Sequence, residues 1–531
     1  VLRRARLLTV EPGPGLVASP LAIEEAVLNE LAGRPHVDER LRPLLEPLAP
    51  PSDGDEMLSS HHRAVNRLIA FWSEQPSGGK RPAALLVAKD RSVQRLIAAA
   101  AASEVGFRAF SLDPAWLPED PSANEELIDL WQRDSVLHDF VLMIEVDEVH
   151  GAAERLSRRW IERLPGFVLV AGSGLQGPLE RPLVRIDVDV PQAEEQSRLW
   201  RSALGSLADT MNGGLDALAQ QFPLSPRAVR EVVTELRGLL TDQNADAGDL
   251  LWQVTRRRAR GGLDALAQRL EPVARWDDLV LPRAQMEVLR TIAVHVRRRA
   301  MVYDGWGFAG TSRRGLGIGA LFTGPSGTGK TMAAEVLALD LGLDVYRIDL
   351  SAVVSKYIGE TEKNLSRLFG AAEASGAILL FDEADAIFGK RSEVRDSHDR
   401  YANLEVSYLL QRIESYRGLA ILTTNLDKNL DQAFLRRLRF VVQFPFPGPV
   451  ERREIWRRIF PAETPTENLD WERLAQLAVA GGNIRNIAIG AAFRAADEAR
   501  ALNMADLAEA ARAELAKSGK SLSESQIEGW R

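Results

Sequence analysis

The sequence contains no cysteine, which removes disulfide scaffolds, thiolate metal centres and cysteine nucleophiles together. Its 7 histidines are scattered along 531 residues, which argues against a zinc centre. No stretch approaches the ~18 to 20 consecutive apolar residues that a membrane-crossing helix needs. Cationic excess is missing too. Lys and Arg total 66 against 74 Asp and Glu, a net charge of −8, so there is no global basic field for nucleic acid, although a local basic channel remains compatible. Residues Val1 to Leu8 are basic and then briefly apolar, and Glu11 interrupts them before a signal-peptide core could form. They read as the start of a helix or a fraying end, and the expected compartment is the cytoplasm.

What is present is a globular balance, 45% hydrophobic and 26% charged, which excludes a largely disordered chain. At roughly 100–200 residues per domain, the length implies about three to five domains or subdomains. Texture divides the chain into a helical N-terminal segment (1–75), an α/β block (80–237), a linker (238–275) whose Thr241–Asp249 stretch is polar, a second α/β block (276–447), and a small helical subdomain with tail (448–531). In the second block, strands are expected at 320–323, 348–350, 377–381, 419–423 and 440–444. The first block answers in the same order at 85–87, 110–112, 140–144, 167–170 and 184–188. Each series then leads through a polar, Pro-containing stretch to a helical tryptophan, Trp200 or Trp456, and the shared order points to duplication of one parallel-sheet architecture. A shorter repeat, Gly-Gly-Leu-Asp-Ala-Leu-Ala-Gln at 213–220 and 261–268, reads as a recurring helix start.

Gly324-Pro325-Ser326-Gly327-Thr328-Gly329-Lys330-Thr331 follows a strand and, with Met332 next, opens a helix. This is the phosphate-binding loop G-x-x-x-x-G-K-[ST] in its required context. The glycines let backbone N–H groups curl around phosphate oxygens, and the helix N-terminus adds partial positive charge. Lys330 would bridge the β- and γ-phosphates of ATP, and the Thr331 hydroxyl would hold Mg²⁺. The strand 378–381 then delivers Asp382 and Glu383 to its C-terminal end, where ligand chemistry in open α/β sheets occurs. Asp382 suits the Mg²⁺ shell through water, and Glu383 suits the polarising of an attacking water. The residues predict an ATPase.

From Trp276 to about Lys517 the chain resembles an AAA-type ATPase module, the P-loop branch that works as rings. The resemblance implies a parallel-sheet core with a small helical lid, preceded here by a degenerate AAA-like α/β domain and the N-terminal segment. It implies several further roles. Tyr357 and Ile358 fall where a first pore loop grips an extended polymer, or else form a buried turn. Asn425 falls at sensor 1, able to orient the lytic water. Arg436 and Arg439 lie in the arginine-finger segment, where guanidinium forks would reach the γ-phosphate held by a neighbouring subunit. Leu438 departs from the usual pattern by standing where a Gly commonly precedes the second Arg. Arg485 falls at sensor 2, and Trp276–Pro282, with Asp278, resembles the entry segment lining the adenine pocket. If the fingers act across subunits, a closed ring follows, and the family implies a homo-hexamer.

The first block lacks this chemistry. No glycine follows 85–87, Val146 falls where Glu383 stands, and aligning Trp200 on Trp456 sets Glu180 and Leu183 opposite Arg436 and Arg439. Glu145, Asp147 and Glu148 beside His150 read as a solvated strand end in preference to a metal cluster. The stretches 353–369, 378–403, 421–425 and 434–447 are similar to the AAA ATPases encoded with bacterial extracellular contractile injection systems, phage-tail-like particles. That resemblance implies particle assembly, maturation or cargo handling, with a protein substrate or particle component as partner. Residues 390–403 are either a second pore loop or an exposed insertion. Two alternatives stay open: a scaffold cemented by ATP, and a nucleic-acid motor or loader. Acidic charge argues against the latter, and the basic run 256–260 reads as a solvated helix face, while 297–299 could form an interface helix.

Overall fold

A computed structural model describes residues 6–10, 20–34, 36–52, 57–74, 81–88, 90–147, 151–172, 175, 177–189, 191–211, 214–240, 246–260, 263–264, 266–311, 316–349, 360–384, 407–425, 435–517, 519 and 530. The chain divides into two compact units, Val1–Ala219 with Pro223–Asn244, and Gln220–Phe222 with Ala245–Arg531.

In the first unit, β1 (Leu8–Val10) and β2 (Leu21–Ile23) form an antiparallel ribbon. A separate sheet contains β3 (Leu45–Leu48), β4 (Ala83–Val87), β5 (Arg108–Leu112), β6 (Phe140–Glu145), β7 (Val168–Ala171) and β8 (Leu183–Asp187). Its order is β8-β4-β7-β6-β5-β3, with β3 antiparallel to β5 and the other pairs parallel. A central parallel strand is covered on both faces, so it reads as one apolar run. Strand β6 shows this: Phe140, Leu142 and Ile144 enter one hydrophobic cluster, and Val141 and Met143 the other. The segment 1–75 is therefore not simply helical. It holds the helices Glu25–Leu31 and Ser59–Ser73, but residues 8–10 are strand, and β3 is the sheet's edge. The helices Ala193–Leu204, Gly214–Gln221 and Pro226–Leu239 follow β8.

The segment 238–275 is not a plain linker. It contains the helix Ala247–Ala259 and the strand β9 (Gln268–Leu270), which pairs antiparallel with β11 (Val345–Ile348). Trp252 donates to the Gly342 carbonyl at 2.8 Å, and Arg260 bonds the Asp344 carboxylate at 2.8 Å. Arg256 and Arg260 of the basic run thus anchor this helix, while Arg257 and Arg258 form an exposed face, and Arg297 pairs with Asp340 at 2.8 Å. The second copy of the short repeat runs into β9, so the same residues start a helix at one site and enter a strand at the other. The remaining strands are β10 (Ile318–Thr323), β12 (Ile378–Phe381), β13 (Leu419–Thr424) and β14 (Phe440–Gln443). The sheet order is β14-β10-β13-β12-β11-β9. Strand β11 begins earlier than the expected 348–350, because the preceding helix ends at Leu341 on a left-handed Gly342 and the chain enters the sheet at once. A helical subdomain closes the unit, with Gly481–Asp497 and Met504–Lys517 packed around Trp456 and Trp530.

Taken in chain order, β3–β8 and β9–β14 have one and the same topology, antiparallel edge included. The edge strands extend the internal repeat beyond the strands legible in the sequence.

Arg181 locks the first sheet. It is 2% exposed and donates to the carbonyls of Arg81, Ile161, Leu164 and Gly166. Burial pulls its pKa down to about 10, so it stays a cation at neutral pH. Arg181→Met would leave those carbonyls short of donors and is expected to cost the first unit ~2–4 kcal/mol. Hydrogen-exchange mass spectrometry should show faster exchange in β4 and β7, with β10 and β13 unchanged.

Candidate active site

The phosphate loop begins where β10 ends. Gly324 (φ +138°) has no room for a side chain, since a Cβ there would collide with the Phe444 carbonyl oxygen. Gly327 (φ +77°) and Gly329 (φ +99°) complete a turn that L side chains rarely adopt. The loop is held shut by Thr328, whose hydroxyl donates to the Pro325 carbonyl at 2.8 Å. Lys330, the first residue of the helix Lys330–Leu341, is 8% exposed. Its ammonium donates to the carbonyls of Gly324 (2.6 Å) and Pro325 (2.9 Å) and to Asn425 Oδ1 (3.0 Å). Predicted Lys330 and Asn425 therefore meet directly. Thr331 and Met332 follow on the first turn, both half-buried.

Asp382 and Glu383 leave the end of β12 in a tight turn. The Thr423 hydroxyl donates to Asp382 Oδ1 at 2.6 Å and accepts from the Glu383 N–H at 3.2 Å, while the Ala384 N–H bonds the Thr423 carbonyl at 2.8 Å. Glu383 is exposed and has φ +53°, an uncommon conformation for a residue with a side chain, of the kind that clusters at functional sites. Asp382 Oδ2 pairs with Arg347 of β11 at 2.9 Å. Neither Arg347 nor Thr423 had a role assigned from sequence; a lone arginine among buried residues of β11 was the available signal. The hydroxyl of Thr331 and the carboxylate of Asp382 are hard oxygen donors, and the buried Lys330 ammonium supplies local positive charge, so the donor set fits a magnesium–triphosphate.

The lid sits directly on the phosphate loop. Gly482 donates its N–H to the Gly327 carbonyl at 2.9 Å, and a Cβ on Gly482 would approach Gly327 Cα to 3.2 Å. Asn483 and Asn486 each donate to Glu514 at 3.0 Å, and with Lys517 they hold that carboxylate down to about 2. Arg485 is exposed, and its charge acts on Glu335 of the phosphate-loop helix, opposing the upward pull of burial on that carboxyl. A recess of about 180 Å³ beside the loop has apolar walls from Val280, Leu281, Pro282, Pro445, Phe446 and Ile455, suited to a flat base. Asp278 does not line it; its carboxylate accepts from the Arg275 N–H at 2.7 Å, closing the short turn 276–278 instead.

Arg436 is exposed and has no hydrogen bond or ion pair among the described residues, whereas Arg437 pairs with Glu414 at 3.3 Å. Arg439 donates to the hydroxyl of Tyr303, a contact that sequence did not signal. Tyr357, Ile358 and 390–403 lie outside the described residues.

The equivalent place in the first unit is closed by charge. Residues 88–90 connect β4 to the helix Arg91–Glu104, where residues 324–329 connect β10 to its helix. Register matches Glu145 to Asp382, and Arg91 begins its helix as Lys330 does. Glu145 is buried and is paired with Arg91 and, at 2.7 Å, with Arg95. It is thus not a solvated strand end. No group of three or more metal-ligating side chains occurs among the described residues.

Comparison with known proteins agrees with this geometry. Residues 320–447 match the ATPase family associated with various cellular activities (AAA), and residues 192–261 match the contractile injection system ATPase helical domain. An uncharacterized AAA family ATPase, y4kL, of Sinorhizobium fredii is 34% identical over 34% of this chain and 52% of its own length. The 26S proteasome subunit RPT4 of Saccharomyces cerevisiae is 34% identical over 36% of this chain and 47% of its own. A proteasome-activating nucleotidase of Saccharolobus islandicus is 28% identical over 47% and 60%. The chain spans about half the length of these curated relatives. Among the described residues no helix is long and apolar enough to cross a membrane. The chain thus carries an AAA ATPase domain in its second unit and, ahead of it, a contractile injection system ATPase helical domain.

Proposed function

We propose that the second unit binds ATP with Mg²⁺ and hydrolyses it, and that the chain works as a homo-hexameric ring in the cytoplasm on a protein partner, a component or cargo of a contractile injection particle. The observation that carries the ATPase reading is the convergence of Lys330, Asp382, Glu383 and Asn425 at the ends of the neighbouring elements β10, β12 and β13. Lys330 would bind the β- and γ-phosphates, and Thr331 and Asp382 would hold the metal, which supplies charge neutralisation when bound. Glu383 takes a proton from water while Asn425 orients it. The water oxygen bonds the γ-phosphorus, the bond from that phosphorus to the bridging oxygen breaks, and its electron pair leaves with ADP.

The ring is supported by Arg436 and by exposed apolar side chains. Met301, Trp306, Phe308 and Val441 are 45–64% exposed and stand within a few residues of Tyr303 or Arg439. Apolar side chains exposed near Arg439 would be covered in a contact with a neighbouring copy. A head-to-tail contact that closes gives a ring. The helical domain over 192–261 supports a particle component as partner, and relatives named for the proteasome support a protein as the object of the work. The first unit, with Arg91 and Glu145 paired, serves as a non-hydrolysing AAA-like domain.

Lys330→Ala is expected to abolish binding of a fluorescent ATP analogue. Glu383→Gln should bind it normally while turnover falls by about 10²–10⁴-fold, and native mass spectrometry of that variant with ATP should show six copies. Turnover at the wild-type rate in Glu383→Gln would overturn the assignment. Tyr357→Ala should keep ATPase activity but lose remodelling of the partner; unchanged remodelling would favour the scaffold role.

A further inference from the structure

We propose that Tyr303 is the positioning residue for Arg439, fixing the angle at which its guanidinium is presented to nucleotide held by a neighbouring copy of this chain. The proposal rests on the reading above that Arg439 acts across the ring contact.

Tyr303 owes its place to an unusual turn. The helix Arg283–Ala300 continues into a π-helix, Met301–Gly305, closed by the Trp306 N–H on the Met301 carbonyl at 2.9 Å. The wider turn rotates side chains out of α-helical register, and such turns are rare and concentrate at functional sites. From it the Tyr303 hydroxyl accepts a hydrogen bond from Arg439, and the guanidinium carbon lies 5.6 Å from the centre of the tyrosine ring. The hydroxyl fixes the reach of the guanidinium, and the ring behind it sets where that hydroxyl stands.

The root of Arg439 is already fixed. Its N–H bonds the Gly319 carbonyl of β10 at 3.0 Å, and the preceding Leu438 is buried. The side chain beyond that root is long and exposed, and without a restraint its many rotamers would scatter its charge. No competing cation is supplied by His295, about two turns earlier on the helix Arg283–Ala300: it packs edge-on to Phe440 at 5.0 Å, and burial and Arg439 lower its pKa. Arg437 is engaged by Glu414 and does not share this seat.

The internal repeat supplies a comparison within one molecule. Register places Leu183 where Arg439 stands, and residues 59–82, which precede β4 as the helix and π-turn precede β10, contain no tyrosine. The unit without the arginine also lacks its tyrosine seat.

Steady-state kinetics on the full-length protein test this. Arg439→Ala should lower kcat by about 10³-fold. Tyr303→Phe, which keeps the ring, should lower kcat by about 3- to 10-fold, and Tyr303→Ala by about 10- to 100-fold. In both tyrosine variants, KM for ATP and affinity for a fluorescent ADP analogue should stay at wild-type values. Tyr303→Ala combined with Arg439→Ala should be no slower than Arg439→Ala alone. Wild-type kcat in Arg439→Ala would sink the trans role of that arginine and the proposal with it. A slow Arg439→Ala beside wild-type kcat in both tyrosine variants would sink the proposal alone. A further loss in the double variant, or weakened nucleotide binding in Tyr303→Phe, would show a merely structural role and overturn it.

Discussion

A buried cation at the start of one helix decides which half of this protein can do chemistry. Lys330 donates to two backbone carbonyls and to the Asn425 amide oxygen, which are neutral dipoles. Partners of that kind take up its hydrogens but do not themselves cancel its charge. Arg91, at the matching helix start, faces the Glu145 carboxylate, which does cancel it. The shorter connection in the first unit brings cation and carboxylate together, whereas the glycine loop of the second leads the chain around a space. One sheet topology therefore yields a closed ion pair in one unit and a phosphate-sized setting in the other.

Much of the active site was legible because its parts are local. The loop 324–331 needs glycine at positive φ, and Asp382 and Glu383 need only a buried strand to deliver them. Asn425 is carried likewise by β13. The edges of the sheets were not legible: Gln268–Leu270 is too short for a period-two pattern, and β3 contains Pro47, which is tolerated because the strand lies at an edge. The helix Ala247–Ala259 hid behind a polar approach and a basic run whose partner, Asp344, is distant in sequence. Asp278 fitted a resemblance, yet its carboxylate closes its own turn. Arg347 and Tyr303 are visible only in three dimensions, since a charge on a strand and a π-turn acquire meaning from what they meet.

The lid is coupled to the loop through a backbone hydrogen bond. Gly482 can reach the Gly327 carbonyl because neither residue carries a Cβ. Asn483, Asn486 and Glu514 then fix the helix that bears Gly482 to its neighbour, and the low pKa of Glu514 keeps this bracket ionised across physiological pH. A shift of the loop around phosphate is thus passed to a rigid helix pair.

Strand β10 extends that coupling in the other direction. Its C-terminal end becomes the phosphate loop, while Gly319 near its start accepts the Arg439 N–H and leaves room for Leu438, whose Cδ2 would otherwise meet a Cβ at 2.9 Å. β10 is also hydrogen-bonded along both sides, to β13 and β14. A strand held on both edges moves as a unit or not at all, so the phosphate loop and the root of Arg439 share one rigid body. In the proposed ring, hydrolysis in one pocket would have a mechanical route to the adjacent one through this single strand. The side chain of Arg439 ends that route, and Tyr303 restrains it.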